Sequence, residues 1–355
     1  MGNLPPRAVE SMDIGKTIAW LLGEDNPSVR YFTLVDLLDR PKDAPEVLAT
    51  RRQIMEMRPV SRILATQKEG GYWGIPEKFY AKWKGTFWTF ILLADMGASG
   101  DDARVKKACE FILNHSQVRD TGGFAHVGSL SEPGGRPRHE HPCMTGKMVR
   151  SLIRFGYLDD PRLQHGIEWI AKYQRFDDGW PEHPPEGWPY GWGSCWGKHT
   201  CLRGIVWNLK ALAEIPEHKR SGPVKRTIRK AAEFILKHHV YKRSHNLSEV
   251  IKEEWLQLGF PLLGGIDVLD ILGVLTQLGY RDKRMRDAVD LVVSKQDEQG
   301  RWKLERSYNG RCRATIEQEG QPSKWITLRA LTVLKRFQGK KGQATNAGAA
   351  SRSTH

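Results

Sequence analysis

Four stretches decide the reading: QKEGGYW at 67–73, QVRDTGGF at 117–124, QRFDDGW at 174–180 and QDEQGRW at 296–302. Each ends a helical pattern on glutamine, turns on glycine and closes on an aromatic ring. The first two intervals are 50 and 57 residues, and the last, 122, is close to twice 61. One further unit therefore falls near 235–245, where FILKHHVYKRSH stands in place of the motif. Periodicity of this length means stacked supersecondary units, none of which can bury its apolar face alone.

Between the motifs the apolar spacing is helical. DDARVKKACEFILNHSQ, DPRLQHGIEWIAKYQ, PVKRTIRKAAEFILKHH and RDKRMRDAVDLVVSKQ each keep one charged face. GTFWTFILLADMG, CMTGKMVRSLIRFGY, TCLRGIVWNLKALAEI, IDVLDILGVLTQLGY and SKWITLRALTVLKRF demand burial on most sides. DIGKTIAWLLGE, PSVRYFTLVDLLDR and an outer turn from 43–67 bring the total to about twelve helices. Exposed and buried helices in alternation close into two concentric rings. The expected fold is all-α, an (α/α)6 toroid over residues 1–338, followed by a disordered basic tail at 339–355 whose sequence lacks apolar periodicity.

Composition narrows the classes. Of the 355 residues 39% are hydrophobic, enough for a large core, and no run of eighteen apolar residues suggests a membrane span. MGNLPPRAVE lacks a hydrophobic leader, and Pro6 stands where a myristoylation signal wants Ser or Thr, so a cytoplasmic protein is expected. An odd set of five cysteines fits reduced thiols. The net charge of +14 is scattered, as in VKRTIRK and RDKRMRD, which suits solvated helix faces; nucleic acid is not the expected partner.

In such a ring the N-terminal ends of the inner helices surround one mouth, where free N–H groups favour anions and thiolates. RPRHEHPCMTGK and GSCWGKHTC open two successive inner helices there. His141 and Cys143 from the first, with Cys195 and His199 from the second, form a Cys/His donor set suited to tetrahedral Zn²⁺. Packing is the competing reading, because a free cysteine is often a small buried hydrophobe. Cys109 is read as core, and Cys201 is compatible with either role.

The glutamine–tryptophan stretches resemble the short repeats of the squalene cyclase and protein prenyltransferase superfamily, along almost the whole chain. In that family the glutamine caps the next helix and the aromatic packs between repeats. The His199-Thr200-Cys201 run and Cys143 also resemble the prenyltransferase β-subunit pattern, in which an Asp-x-Cys pair opens one inner helix and a His-Thr-Cys run the next. His141 takes the place of the family's aspartate, and Cys195 is the candidate replacement ligand. The resemblance implies zinc as cofactor and a substrate thiol that attacks a prenyl diphosphate. A lanthionine-cyclase-like zinc enzyme is the alternative, although its adjacent Cys-His-Gly element is missing; a non-catalytic toroid with structural zinc is another.

An anionic donor needs cations. Arg136, Arg138 and Lys147 around one helix start, Lys198 and Arg203 around the next, and Tyr241, Lys242 and Arg243 where the motif is missing are the candidates, YKRSH being equally readable as a solvated turn. Trp192 and Trp196, with Trp180 and Trp188, crowd the insertion EHPPEGWPYGWGSCWGK, long enough for a lid or cavity wall. Asp267 and Asp270 share one helical face and could act as acid or base in the cavity, with helix capping as the other reading of Asp267. The Asp-x-Asp-Asp motif of protonation-initiated cyclases and the Asp-Asp-x-x-Asp magnesium box are both missing. The sequence thus points to a zinc enzyme doing thiol transfer or addition on a small-molecule or peptide substrate, thiol-containing or isoprenoid.

Overall fold

Helix starts are written in the sequence as caps. Asp102 and Asp160 each accept the backbone N–H two residues on, while Ser221 and Ser323 accept from the third, satisfying amides that a helix leaves unpaired. The computed structural model describes residues 14–128, 130–179 and 199–339. Among them are α1 (Ile14–Leu21), α2 (Pro27–Phe32), α3 (Pro45–Glu56), α4 (Arg58–Ala65), α5 (Thr86–Asp95), α6 (Ala103–His115), α7 (Pro142–Arg154) and α8 (Pro161–Tyr173). They continue with α9 (Leu202–Ala213), α10 (Gly222–Lys237), α11 (Val268–Gln277), α12 (Arg286–Ser294) and α13 (Lys324–Gln338). Two small hairpins interrupt them, β1 (Lys242–Arg243) with β2 (Asn246–Val250), and β3 (Trp302–Lys303) with β4 (Pro322–Ser323).

The helices alternate as the apolar patterns require. α5, α7, α9, α11 and α13 are buried along most of their length, whereas α6, α8, α10 and α12 keep an exposed face. Neighbouring inner helices run parallel: Pro142 meets Gly204 near the start of α7 and α9, and Arg154 bonds Glu214 at their ends. A Cβ at Gly146 would lie 2.5 Å from Asn208 Oδ1, so glycine is what lets these two backbones approach. The ring closes where Lys335 donates to the Leu37 carbonyl at 2.7 Å and Ser28 to that of Met96 at 2.6 Å. The fold is an all-α toroid. No described helix is long and apolar enough to cross a membrane.

The motif residues are joints. The backbone N–H groups of Trp73, Phe124 and Trp302 donate to Thr86, Thr145 and Thr327 near the starts of the following inner helices, at 2.9, 3.0 and 3.0 Å. The Trp73 and Trp302 indoles donate back to Ile63 and Val292, carbonyls of the preceding outer helices. Gln67 and Gln117 reach forward to Arg104 and Arg162 in the first turns of the next outer helices. Glycine at Gly122 is required twice over, by a φ of +83° and by the His165 carbonyl only 2.5 Å from where a Cβ would sit.

Candidate metal centre

The bore of the ring is filled by charge. Arg150 and Arg154 from α7 pair with Asp95 of α5 and with Glu214 beyond α9, and Lys210 of α9 bonds Asp270 of α11 at 2.7 and 2.9 Å. Arg329 of α13 meets both Asp267 and Asp270, at 3.4 and 3.3 Å. Except for the fully buried Asp267, these groups wall a cavity of about 160 Å³ together with Phe32, Phe260 and Trp325. Burial pushes the Lys147 and Lys210 amines down to about 8. Burial acts against the Asp95 and Glu214 carboxylates, but the adjacent arginines hold both below their ordinary range.

At the mouth the arrangement differs. An isolated antiparallel bridge pairs Asp178 with His199, fixed by Thr200 N–H to the Asp177 carbonyl at 2.8 Å and by Asp177 N–H to the Thr200 hydroxyl at 2.9 Å. His199 Nδ1 thereby comes to 3.0 Å from Asp178 Oδ1. The segment lacking the motif supplies the other side. After α10 the chain turns through His239 and Val240, both with positive φ, 41° and 75°. For a β-branched residue that conformation is strained. The turn leads into the β1–β2 hairpin, whose tip places His245 Nε2 at 3.3 Å from the same Asp178 oxygen. Donor atoms of Asp178, His199 and His245 all lie within 4.8 Å of one another, so these three residues could hold a metal ion.

Asp178 is nearly enclosed, its side chain 6% exposed, whereas those of His199 and His245 are about half exposed. Burial raises its carboxyl, but hydrogen bonds from Lys237 and His199 more than offset this and hold it well below the carboxylate range. Lys237 lies 2.6 Å from Oδ2, leaving Oδ1 to the imidazoles. An Asp/His donor set of nitrogen and oxygen suits Zn²⁺ and equally the other divalent ions that imidazole and carboxylate accept. Beside it opens a pocket of about 680 Å³, with Arg203, Arg243 and Lys252 as cations and Leu202, Ile251 and Trp255 as apolar wall.

Of the expected ligands, His199 therefore sits in a metal-competent group, with partners the sequence did not suggest. Cys143 is not among the three: it lies one residue into α7 and packs against the hydrophobic core, and burial raises its thiol. Cys201 lines the mouth pocket. His141 precedes α7 and lies against His126, the rings tilted with centres 5.2 Å apart, and its imidazole is lowered to about 4, first by burial and then by the positive charge around it. Cys195, Lys198, Trp192 and Trp196, like Trp180, Trp188 and the tail at 340–355, lie outside the described residues.

The expected substrate cations are dispersed. Arg136 and Arg138 are exposed. Lys147 is buried, donating to the Leu263 carbonyl at 2.7 Å with its ammonium over the Trp88 and Trp207 rings. Lys242 pairs with Asp287, and Arg243 with Glu249 at 3.2 Å. Arg203 donates to the Gly264 carbonyl at 3.2 Å while facing the mouth pocket. Tyr241 is half-buried against the core, and burial raises its phenol. Asp267 has no exposure and caps α11, accepting the backbone N–H groups of Asp270 and Gly259 at 2.6 and 2.9 Å. Asp270 is held by Lys210 and Arg329, so both carboxylates tie inner helices together. Asp178, His238 and His245 escaped the sequence reading. The replaced motif at 235–245 was the signal that could have found the two histidines.

No protein-family model matches the sequence, and no curated protein matches it. Among solved structures the chain is similar to the type II terpene cyclase MstE from Scytonema in its apo form, with 15% identity over 89% of this chain and 88% of that one, at a TM-score of 0.40. A variant of MstE in complex with its substrate geranylgeranyl dihydroxybenzoate gives 16% identity, 89% and 87% coverage and a TM-score of 0.41. A further variant, with the product merosterolic acid A, gives 14% identity, 91% and 98% coverage and a TM-score of 0.41. A likeness of this degree assigns neither chemistry nor site residues, and the toroid stands on the packing within this chain.

Proposed function

We propose that the protein is a zinc-dependent enzyme whose metal site, formed by Asp178, His199 and His245, serves a small anionic substrate bound in the mouth pocket. The observation that carries this reading is the convergence of three donor atoms within 4.8 Å beside that pocket. Zinc bound there would supply Lewis-acid activation of a water or a substrate thiol near neutral pH.

The chain's own groups do the rest. Arg203 and Arg243 face the pocket as cations, and the Arg243–Glu249 pair is exposed enough to exchange its carboxylate for a substrate anion at little cost. Leu202, Ile251 and Trp255 offer an apolar wall for an attached chain, which is where an isoprenoid portion would lie. Cys201 and Thr200 border the same space, and Lys237 fixes Asp178 from behind.

Metal analysis of the purified chain, combined with X-ray absorption at the bound metal, tests the reading. The expected result is about one zinc per chain with nitrogen and oxygen neighbours at about 2.0–2.1 Å. Sulfur neighbours at about 2.3 Å would overturn it in favour of a site built on Cys143 and Cys195. Failure to bind any divalent metal would remove the metal reading altogether.

A further inference from the structure

His238 lies at the end of α10, on the inner side of the same cluster, and is 8% exposed. Its Nδ1 is 3.0 Å from the Lys242 carbonyl oxygen, and an oxygen that can only accept requires that nitrogen to carry the proton. In the neutral ring Nε2 is then an acceptor. That atom is buried without a hydrogen-bond partner, and it faces Asp178 Oδ1, a second acceptor, across 3.9 Å. Two acceptors turned towards each other in a buried place call for a cation between them.

Distances carry the point further. Three imidazole nitrogens surround one carboxylate oxygen: His199 Nδ1 at 3.0 Å, His245 Nε2 at 3.3 Å and His238 Nε2 at 3.9 Å. Ligands at about 2.0–2.1 Å from a tetrahedral ion are about 3.3 Å from one another. Measured from Asp178 Oδ1 the three separations bracket that edge; His238 Nε2 stands outside the 4.8 Å group formed by the other donors, so the half-exposed imidazoles of His199 and His245 must swing inward to share an ion with it. A ligating histidine also characteristically has its other nitrogen bound to a carbonyl or carboxylate, which fixes tautomer and ring orientation. His238 has that anchor already in the Lys242 carbonyl.

We propose that His238 is the fourth protein ligand of the metal, completing a three-histidine, one-aspartate set. The inference rests on the three-residue site proposed above and adds to it. With four protein donors a substrate group enters as a fifth ligand or displaces one of the two half-exposed histidines, His199 or His245. The backbone of His238 is tied as well, its carbonyl accepting the Lys242 N–H at 2.7 Å, so this ligand is the least mobile of the three imidazoles.

Cobalt(II) titration of the full chain, stripped by a chelator, is the test, read by competition with a chromophoric chelator and by the visible d–d band. His238→Asn keeps a donor for the Lys242 carbonyl while removing Nε2, and His238→Phe keeps the ring volume if the first variant does not fold. The expected result is one site in the wild-type chain with an intense tetrahedral band, and in the variant at least a tenfold weaker affinity with a weaker, shifted band. Equal affinity and an unchanged band in the variant would overturn the fourth-ligand assignment and leave the three-residue site standing. A wild-type chain that binds no cobalt and no zinc would overturn both.

Discussion

The bore and the mouth of the ring both gather charged side chains, and they solve opposite problems. In the bore Arg150 finds Asp95 and Glu214, Arg329 finds Asp267 and Asp270, and Lys210 finds Asp270 at 2.7 Å. Charge there is matched, so the network binds helix to helix. At the mouth three imidazoles crowd one carboxylate oxygen and one of them keeps a buried, unpartnered nitrogen. A satisfied cluster describes the fold, whereas an unsatisfied one asks for an explanation beyond it.

That contrast can be broken from either side. The largest effect is expected in the bore: Arg150→Met removes a side chain only 9% exposed and leaves Asp95 and Glu214 short of a partner. It should destabilise the protein by about 3–5 kcal/mol in urea unfolding while leaving metal affinity unchanged. A loss of metal binding in this variant would mean that the two regions are one site.

Next in size is the mouth. Metal at a hundred times its dissociation constant should raise unfolding stability by about 2.7 kcal/mol, and Asp178→Asn should abolish that gain. In the absence of metal the same variant should lose about 1–3 kcal/mol, the worth of the charge-assisted bonds that the nearly enclosed carboxylate accepts from Lys237 and His199. A large metal-free destabilisation would make Asp178 a structural residue like those of the bore.

Acid offers a smaller but signed test. His141 titrates near about 4 in the folded protein and near about 6.5 when unfolded. Above about 6.5 neither state is protonated and the folded protein has its full stability; between about 6.5 and 4 only the unfolded chain takes up the proton. Stability must therefore fall as pH drops through that window. His141→Gln should flatten the decline by about 2 kcal/mol between pH 7 and pH 4.5, measured from urea midpoints. The smallest effect belongs to the outer ring, where Arg284→Ala, which cuts an exposed pair with Glu233, should cost about 0–1 kcal/mol.

Much of the ring is legible in the sequence because its joints are local. Trp73 and Trp302 find carbonyls ten residues back, and the motif threonines follow within one unit. The boundaries of the N-terminal part were less legible: the outer turn expected from 43–67 is two helices, α3 and α4, separated at Met57 just before Arg58-Pro59. His199 was legible as a candidate donor because it stands before an inner helix. Its partners were not, because Asp178 sits within a structural motif, His238 lies at the end of an outer helix, and His245 reaches the site only through the left-handed turn at 239–240. No periodicity encodes that approach. The missing motif drew attention to Lys242 and Arg243 together; Lys242 is paired with Asp287, while Arg243, paired with Glu249, also lines the mouth pocket.

Asp178 follows α8 and His245 follows α10, so the donors belong to two successive units of the ring, 67 positions apart in the chain. An ion among them is a reversible cross-link between neighbouring units. Its removal would free the hairpin tip at Ser244–His245 from the segment that bears Asp178, and limited proteolysis should then cut first at Lys242 and Arg243. Occupancy of the mouth would in that way be written into which peptide bonds a protease can reach.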